Sequence, residues 1–137
     1  MPDRSAFEYA IVRVVPHVER EEFVNAGVIL HCRARGYLGA RMALDEARLL
    51  AIAPDADVAL VRRHLDAIPR ICAGGAGAGP IGLLPLDERW HWLVAARSTI
   101  LQTSPAHVGV CVAPDAALAR IVDKVVRPLP RRPEPPP

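Results

Sequence analysis

The sequence has only three cysteines, a single lysine and no long apolar run. Cys32, Cys72 and Cys111 are odd in number and far apart, which makes them a poor disulfide framework. No apolar run approaches the roughly 18 residues that a membrane-spanning helix needs. The N-terminus also lacks the basic and apolar segments of a secretory signal. We therefore expect a cytoplasmic protein that has free thiols and makes no membrane contact.

Charge is nearly balanced, and almost all of the positive charge is arginine. The 137 residues include 17 Lys and Arg against 15 Asp and Glu, for a net charge of +2. A nucleic-acid-binding domain usually has a clear basic excess, so nucleic acid is disfavoured as a partner. Lys124 is the only lysine. The abundant arginine reflects either compositional bias or a need for bidentate anion contacts, which arginine makes and lysine does not.

Hydrophobic periodicity predicts three strands, then helices, then two short strands and a final helix. Strands are expected at residues 7–15, 23–32, 37–43, 98–102 and 108–112. Helices are expected after the capping residues Asp45 and Asp55 and over residues 86–94 and 115–126. Pro69 is expected near the end of the second helix, with one more turn to Cys72 as the alternative. The segment 25–27, Asn-Ala-Gly, predicts a β-bulge or a turn because Gly and Asn tolerate positive φ.

This order of elements predicts an α+β domain. We expect an antiparallel or mixed sheet of about five strands, with the helices packed on one face. The length fits a single globular domain, which we place at residues 1–127. Residues 128–137 contain six prolines and are expected to form a disordered tail.

Sequence patterns typical of ligand binding or catalysis are either absent or lie in an unsuitable structural context. Gly77, Gly79 and Gly82 fit G-x-G-x-x-G, but they follow a predicted helix rather than a strand, which favours a surface connection. His31 and Cys32 are adjacent and point to opposite faces of a strand, so no metal site is expected. No G-x-S-x-G nucleophile elbow is present. The sequence therefore identifies no catalytic residue and predicts no cofactor.

Seven polar residues are candidates for binding an anionic ligand. Arg13 lies within an apolar strand, where it is an anion-binding guanidinium on an open face, a solvated side chain, or a side chain paired with the strand neighbours of Glu8. The others surround the fourth predicted strand, and their guanidinium, imidazole and hydroxyl groups suit a carboxylate or phosphate. The candidates are Arg13, Arg89, Arg97, Ser98, Gln102, Ser104 and His107.

Structural roles are the alternative for these candidates. Arg89 and Arg97 would then pair with Asp87 or Glu88 and fasten a helix to the sheet. Ser104 would serve only the turn that precedes a proline. The sequence leaves both interpretations open.

Three further residues are candidates for contacting a protein partner. Trp90 and Trp92 lie about 200° apart on a helix, so one of them is expected to be partly exposed. An exposed tryptophan can anchor a protein partner. Asn25 either contacts a ligand or fixes a local turn.

Several sequence blocks together resemble one bacterial family. They are YAIVRVVP at residues 9–16, VER at 18–20, NAGVIL at 25–30, ERWHWL at 88–93 and the segment from Arg97 to Gly109. Over roughly residues 7–126, the chain is similar to the family named domain of unknown function 3037, from which Ala26 and Trp90 are tolerable departures. The resemblance implies a fold and a bacterial origin, and it implies no particular activity. Members share a gene setting that often includes a HipA-like kinase, which implies such a kinase as a partner.

The sequence favours a binding or regulatory accessory protein that acts through protein–protein interaction, with a homodimer as a further arrangement. The alternative is a small-anion or phosphate binder, or an enzyme, that uses an Arg/His/Ser pocket. Convergence of Arg13, Arg97 and His107 in one concave pocket would support the alternative.

Overall fold

The computed structural model describes residues 3–97, 99–130 and 132–137. Within these ranges, five strands and four α-helices follow one another. In order they are β1 (Ser5–Val14), β2 (Val24–Cys32), β3 (Tyr37–Met42), α1 (Glu46–Ile52), α2 (Val58–Ala73), α3 (Leu86–Val94), β4 (Leu101–Thr103), β5 (His107–Cys111) and α4 (Pro114–Val125). The predicted α+β class is confirmed.

The five strands form one antiparallel sheet in which β1 is central. β2 pairs with one side of β1, and β3 pairs with the outer side of β2. β4 and β5 both pair with the other side of β1, β4 with residues 12–14 and β5 with residues 5–9. β4 and β5 therefore act as one edge strand that is interrupted between them.

Ser104 holds the edge strand to β1 across this interruption. Its main-chain N–H donates to the Ile11 carbonyl at 2.9 Å. Its Oγ accepts from the Ile11 N–H at 2.8 Å. Pro105, which has no N–H, follows at once, so the ladder cannot continue regularly there.

A β-bulge lies in β2 where the sequence predicts it. Val12 pairs with Gly27, and Arg13 pairs with Asn25, which leaves Ala26 as the extra residue. Because side chains alternate along a strand, the bulge places Asn25 beside Arg13 on one face and Val24 on the other.

The first core lies between the sheet and helices α1 to α3. Ala10, Val12 and Ile29 from the sheet pack with Leu65 of α2 and Trp90 of α3. Alternate apolar residues of β1 supply this face, as the period of a half-buried strand predicts.

The second core lies between the opposite face of the sheet and α4, so the expected placement of all helices on one face needs correction. Val28 and Leu30 pack with Leu118, Ile121 and Val122 of α4. The unbroken apolar run of β2 is consistent with this arrangement, since a strand that is buried on both faces needs no polar alternation.

Helix boundaries differ in part from those predicted. Asp45 caps α1 by accepting from the Arg48 N–H, as expected. The cap of α2 is Asp57 rather than Asp55. Pro69 lies inside α2, which continues to Ala73, so packing of its apolar stripe offsets the lost hydrogen bond.

The remaining described segments carry no α-helix or strand. The glycine pattern lies in two short 3-10 turns, Ala76–Ala78 and Pro80–Leu83, rather than between a strand and a helix. The described tail residues, 128–130 and 132–137, are exposed and have no regular secondary structure, and their disorder stays a prediction. Within the described ranges, no helix is long and apolar enough to span a bilayer.

Candidate functional site

Three of the predicted ligand-binding residues line one cavity of about 400 Å³. Arg13 and Gln102 are cross-strand partners on β1 and β4, so their side chains share a face of the sheet. Arg97, from the loop before β4, completes the set. We call this cavity the arginine cleft. Its lining residues are Arg13, Val15, Val18, Glu21, Phe23, Arg97 and Gln102.

Each arginine of the cleft is stacked on an aromatic ring. The Arg13 guanidinium lies 4.3 Å from the centroid of Phe23, and the Arg97 guanidinium lies 4.0 Å from that of Trp92. Arg97 also donates to the Trp92 carbonyl. Among the described residues, neither arginine forms an ion pair with a carboxylate. Their charge is therefore held in place without being neutralised.

Gln102 and Glu21 are the other described polar residues that line the cleft. The Gln102 amide is fixed because its Nε2 donates to the Thr99 carbonyl at 3.0 Å. Glu21, which has the left-handed conformation (φ 54°), is the acidic residue among the described lining residues. Among the residues that the structure describes, the cleft thus combines two arginines with one acidic residue.

A buried donor and a buried acceptor remain unpaired next to the cleft. Within the described chain, Arg13 Nε and Asn25 Oδ1 are both shielded from water and have no hydrogen-bond partner, although the two residues face each other across β1 and β2. The Asn25 amide donates instead to the Val125 carbonyl at 3.1 Å, which ties β2 to the end of α4. Buried polar groups without a partner destabilise the folded state, and such groups often occur at binding sites.

An apolar groove of about 290 Å³ lies on the other face of β4. Val12 and Thr103, which pair across β1 and β4, lie on this face together with Leu101. α2 and α3 supply the remaining apolar wall. We call this cavity the apolar groove, and its residues include Val12, His64, Ala67, Ile68, Ile71, Trp92, Leu93, Arg97, Ile100, Leu101, Gln102 and Thr103.

Arg89 lies outside both cavities and is bonded to main-chain carbonyls. It donates through Nη1 to the carbonyls of Ile71 and Cys72 at 2.9 and 2.8 Å, and through Nε to that of Leu84 at 3.0 Å. The chain turns at Gly74 with φ 77°, where a Cβ would lie 2.5 Å from Arg89 Nη1. Arg89 therefore caps the C-terminal end of α2, and neither anion binding nor an ion pair is its observed role.

The remaining ligand candidates do not join the cleft. Ser104 is buried and bonded to Ile11, as described above. His107 is exposed at the start of β5, where it stacks on Tyr9 of β1 with a ring separation of 5.1 Å. Ser98 lies outside the described residues. The condition set for the anion-binding alternative, Arg13, Arg97 and His107 in one pocket, is therefore not met, because His107 lies apart; the structure brings Arg13 and Arg97 together with Gln102 instead.

The two tryptophans separate as helix geometry predicts. Trp90 is buried and stacks on the His31 ring, whereas the side chain of Trp92 is 37% exposed and contributes to the apolar groove. Trp92 is thus the tryptophan that a partner can reach.

Sequence reasoning missed the polar network around His31. This side chain is only 4% exposed, and its Nε2 lies 2.8 Å from Asp87 Oδ1, while its Nδ1 lies 3.8 Å from Glu8 Oε1. Arg33 also contacts Asp87, at 3.3 Å. The sequence shows only that His31 is a polar residue in an apolar strand, because Asp87 comes from a distant helix. The network joins α3 to the sheet and lies outside both cavities, which indicates a structural role.

Nucleophilic and metal chemistry have little support among the described residues. Burial raises the pKa of the Cys72 thiol from 9.0 to about 12, although the nearby Arg89 guanidinium acts in the opposite direction. Burial, together with the Cys32 thiol, also raises the pKa of Cys111. Such thiols stay protonated and are poor nucleophiles. In the part of the chain that the structure describes, no group of three His, Cys, Asp or Glu residues could hold a metal ion.

A family model described as "Protein of unknown function (DUF3037)" matches residues 9–126. The chain belongs to this family. The match to DUF3037 runs from within β1 to the end of α4 and includes both cavities, which confirms the resemblance in the sequence blocks. No curated protein and no solved structure matches the chain.

Proposed function

We propose that this DUF3037 domain is a non-catalytic binding module whose arginine cleft recognises a carboxylate or phosphate group on a protein partner. The observation that carries the proposal is the pair Arg13 and Arg97, which line one cavity without an ion pair to a carboxylate among the described residues.

Aromatic stacking prepares both guanidinium groups for an anion. A guanidinium held over a ring can still present N–H groups at its edge, and its planar fork matches a carboxylate or phosphate. Because Phe23 and Trp92 already hold the two groups, less side-chain entropy is lost when an anion binds. Charge-assisted hydrogen bonds to each arginine would then provide the affinity.

A protein is the better partner because exposed apolar side chains surround the cleft. Val18, Phe23 and Trp92 are 37%, 44% and 37% exposed, although all three are large and apolar. Aromatic and arginine side chains that border a cavity are typical of the energetic centre of a protein interface. The HipA-like kinase implied by the family resemblance remains the first named partner to test.

Binding without catalysis fits the groups that line the cleft. Glu21 is the single acid–base group among its described lining residues apart from the two arginines. General acid–base or nucleophilic catalysis usually requires a positioned base beside a nucleophile. The cleft supplies positive charge and stacking surface, which suffice to hold an anion.

The first test is a titration of the purified chain with inorganic phosphate and, separately, acetate. NMR signals of the arginine Nε–H groups report on Arg13 and Arg97 directly. We expect both signals to shift, and Arg13→Gln or Arg97→Gln to weaken binding about tenfold or more, because a hydrogen bond to a charged group contributes roughly 1.5–3 kcal/mol. Arg63→Gln, at an exposed position of α2, is the matched control. If neither anion shifts these signals, the cleft is not an anion site and the proposal fails.

The second test is native mass spectrometry of the protein enriched gently from its own cells. A stoichiometric second protein should accompany the wild type and the Arg63→Gln variant, and should be lost in the double variant Arg13→Gln with Arg97→Gln. A second protein that stays bound to the double variant would contradict recognition through the cleft, and a bare chain would contradict a stable partner.

A free small anion is the second candidate for the occupant of the cleft. The cavity of about 400 Å³ lies within the usual range of small-molecule pockets, roughly 300–1,000 Å³. A small added mass in the same native spectrum, lost in the double variant, would favour this candidate over a protein partner.

A further inference from the structure

The arginine cleft and the apolar groove lie on opposite faces of the same edge strand. Gln102 and Arg13 share the cleft face, whereas Leu101 and Thr103, on either side of Gln102, line the groove. Arg97 and Gln102 each contribute to both cavities. One ligand that reaches both cavities must therefore pass along the edge of β4.

The outer edge of β4 is not paired with another strand in the described ranges, where β4 pairs with β1 alone. The Ile100 carbonyl accepts from Val15 N–H, and the Ser104 N–H donates to Ile11, so these residues direct their main-chain groups toward β1. Hydrogen bonding alternates along an antiparallel strand, which turns the N–H groups of Leu101 and Thr103 outward. The Leu101 carbonyl accepts from the Thr99 hydroxyl at 2.8 Å. Outward N–H groups can bind the main chain of an added segment.

We infer that the occupant is a short extended segment of the protein partner in which an anionic residue directly adjoins a bulky apolar residue. Successive side chains of an extended chain point to opposite faces. An anionic side chain in the arginine cleft therefore places its neighbour in the apolar groove. This inference rests on the proposed function, and it adds the sequence pattern that the partner must carry.

The edge also limits the length of the segment. β4 has three residues, and Pro105 follows Ser104, so regular pairing cannot continue into β5. Main-chain bonds to so short a strand give modest affinity, and the two cavities must supply most of the binding energy. Because most of the binding energy comes from the two cavities, the domain should select segments whose anionic and apolar side chains fill both.

The experiment is a selection of random peptides displayed on phage against the full chain, followed by synthesis of an enriched peptide. We expect enriched sequences to contain Asp or Glu directly beside a bulky apolar residue. The synthetic peptide should shift the Arg13 Nε–H, the Trp92 indole N–H and the main-chain N–H signals of Leu101 and Thr103. A peptide with one residue inserted between the acidic and apolar positions should bind about tenfold more weakly, since one apolar side chain in a pocket contributes roughly that factor or more.

A variant that fills the apolar groove tests its contribution to binding separately from that of the arginine cleft. Ala67 is an exposed residue of α2 that lines the groove, and Ala67→Trp should reduce peptide binding about tenfold while phosphate still shifts Arg13. Ala59→Trp, at an exposed position of the same helix outside the groove, is the control and should bind the peptide normally.

The possible failures have different signatures. If phosphate and acetate shift Arg13 and Arg97 but selection yields no peptides, or peptides without the adjacent pair, this inference is wrong and the proposed function stands. Equal peptide binding by Ala67→Trp and wild type would also overturn it. If the anions leave both arginines unshifted, the proposed function fails as well.

Discussion

Arginines of equal charge are held in this domain by different partners, and the partner determines what each contributes to stability. Arg89 donates to three main-chain carbonyls around the end of α2. Arg13 stacks on Phe23, while its Nε lies in a buried position without a hydrogen-bond partner among the described residues. Removal of Arg89 leaves acceptors unpaired, whereas removal of Arg13 takes away a donor that is already unpaired.

Methionine in place of Arg13 or Arg89 keeps a long side chain and removes the guanidinium. We expect Arg89→Met to lower the free energy of unfolding by about 2–4 kcal/mol, because several partly buried carbonyls lose their donor. Arg13→Met should change it by less than about 1 kcal/mol, since the loss of stacking is offset by the removal of an unpaired donor. Urea unfolding followed by circular dichroism measures both values. If Arg13→Met destabilises the domain as strongly as Arg89→Met, Arg13 is a structural residue and the proposed function loses its basis.

At the scale of single elements, the bulge in β2 and the interrupted edge strand place the cleft residues. The position of the bulge was predicted from Asn25-Ala26-Gly27, although none of these residues has the positive φ on which the prediction rested. The two short strands near residues 100 and 110 were also predictable from periodicity. Their pairing with the same side of β1 was not, since alternation along a strand carries no information on which neighbour it meets.

Ser104 is the side chain that joins the interrupted edge to β1, and its replacement tests that role. Ser104→Ala leaves the Ile11 N–H without its acceptor, so we expect a loss of about 1–3 kcal/mol in unfolding free energy. Hydrogen exchange of the Ile11 amide should accelerate, while amides between β1 and β2 change less. Ser5→Ala, which removes an exposed hydrogen bond with Arg35, is the control and should cost about 0.5 kcal/mol or less. An unchanged Ile11 amide in Ser104→Ala would show that the main-chain bond alone holds this edge.

At the scale of the whole molecule, the sheet is covered on both faces, and this arrangement decides how much of the site the sequence could predict. Arg13, Arg97 and Gln102 were identifiable as polar residues in or near apolar strands. Phe23 and Trp92 were not identifiable as their stacking partners, because each contact joins elements that meet only in the folded chain. The same limit hid the contact between His31 and Asp87, which are 56 residues apart.

Two groups on opposite faces of the sheet make the stability of the whole domain sensitive to alkali. Burial raises the pKa of Cys72, on the α2 face, from 9.0 to about 12. Burial, with a hydrogen bond to the Asp115 carboxylate, raises the pKa of Tyr37, on the α4 face, from 10.0 to about 12. Each group keeps its proton more tightly in the folded state than in the unfolded state. The stability they provide is therefore complete below about pH 9 and is lost as the pH rises toward 12.

We expect the free energy of unfolding to be nearly constant between pH 7 and 9 with respect to these two groups, and to fall steadily from pH 9 to 11. Urea unfolding at pH 8, 9.5, 10.5 and 11, followed by tryptophan fluorescence, gives the slope. Cys72→Ala should be less stable at pH 8 because it removes a buried side chain, yet its stability should fall less steeply above pH 9 because one proton-linked group is gone. Parallel curves for Cys72→Ala and wild type would mean that the Cys72 thiol ionises equally in both states, and that burial beside Arg89 does not protect its proton.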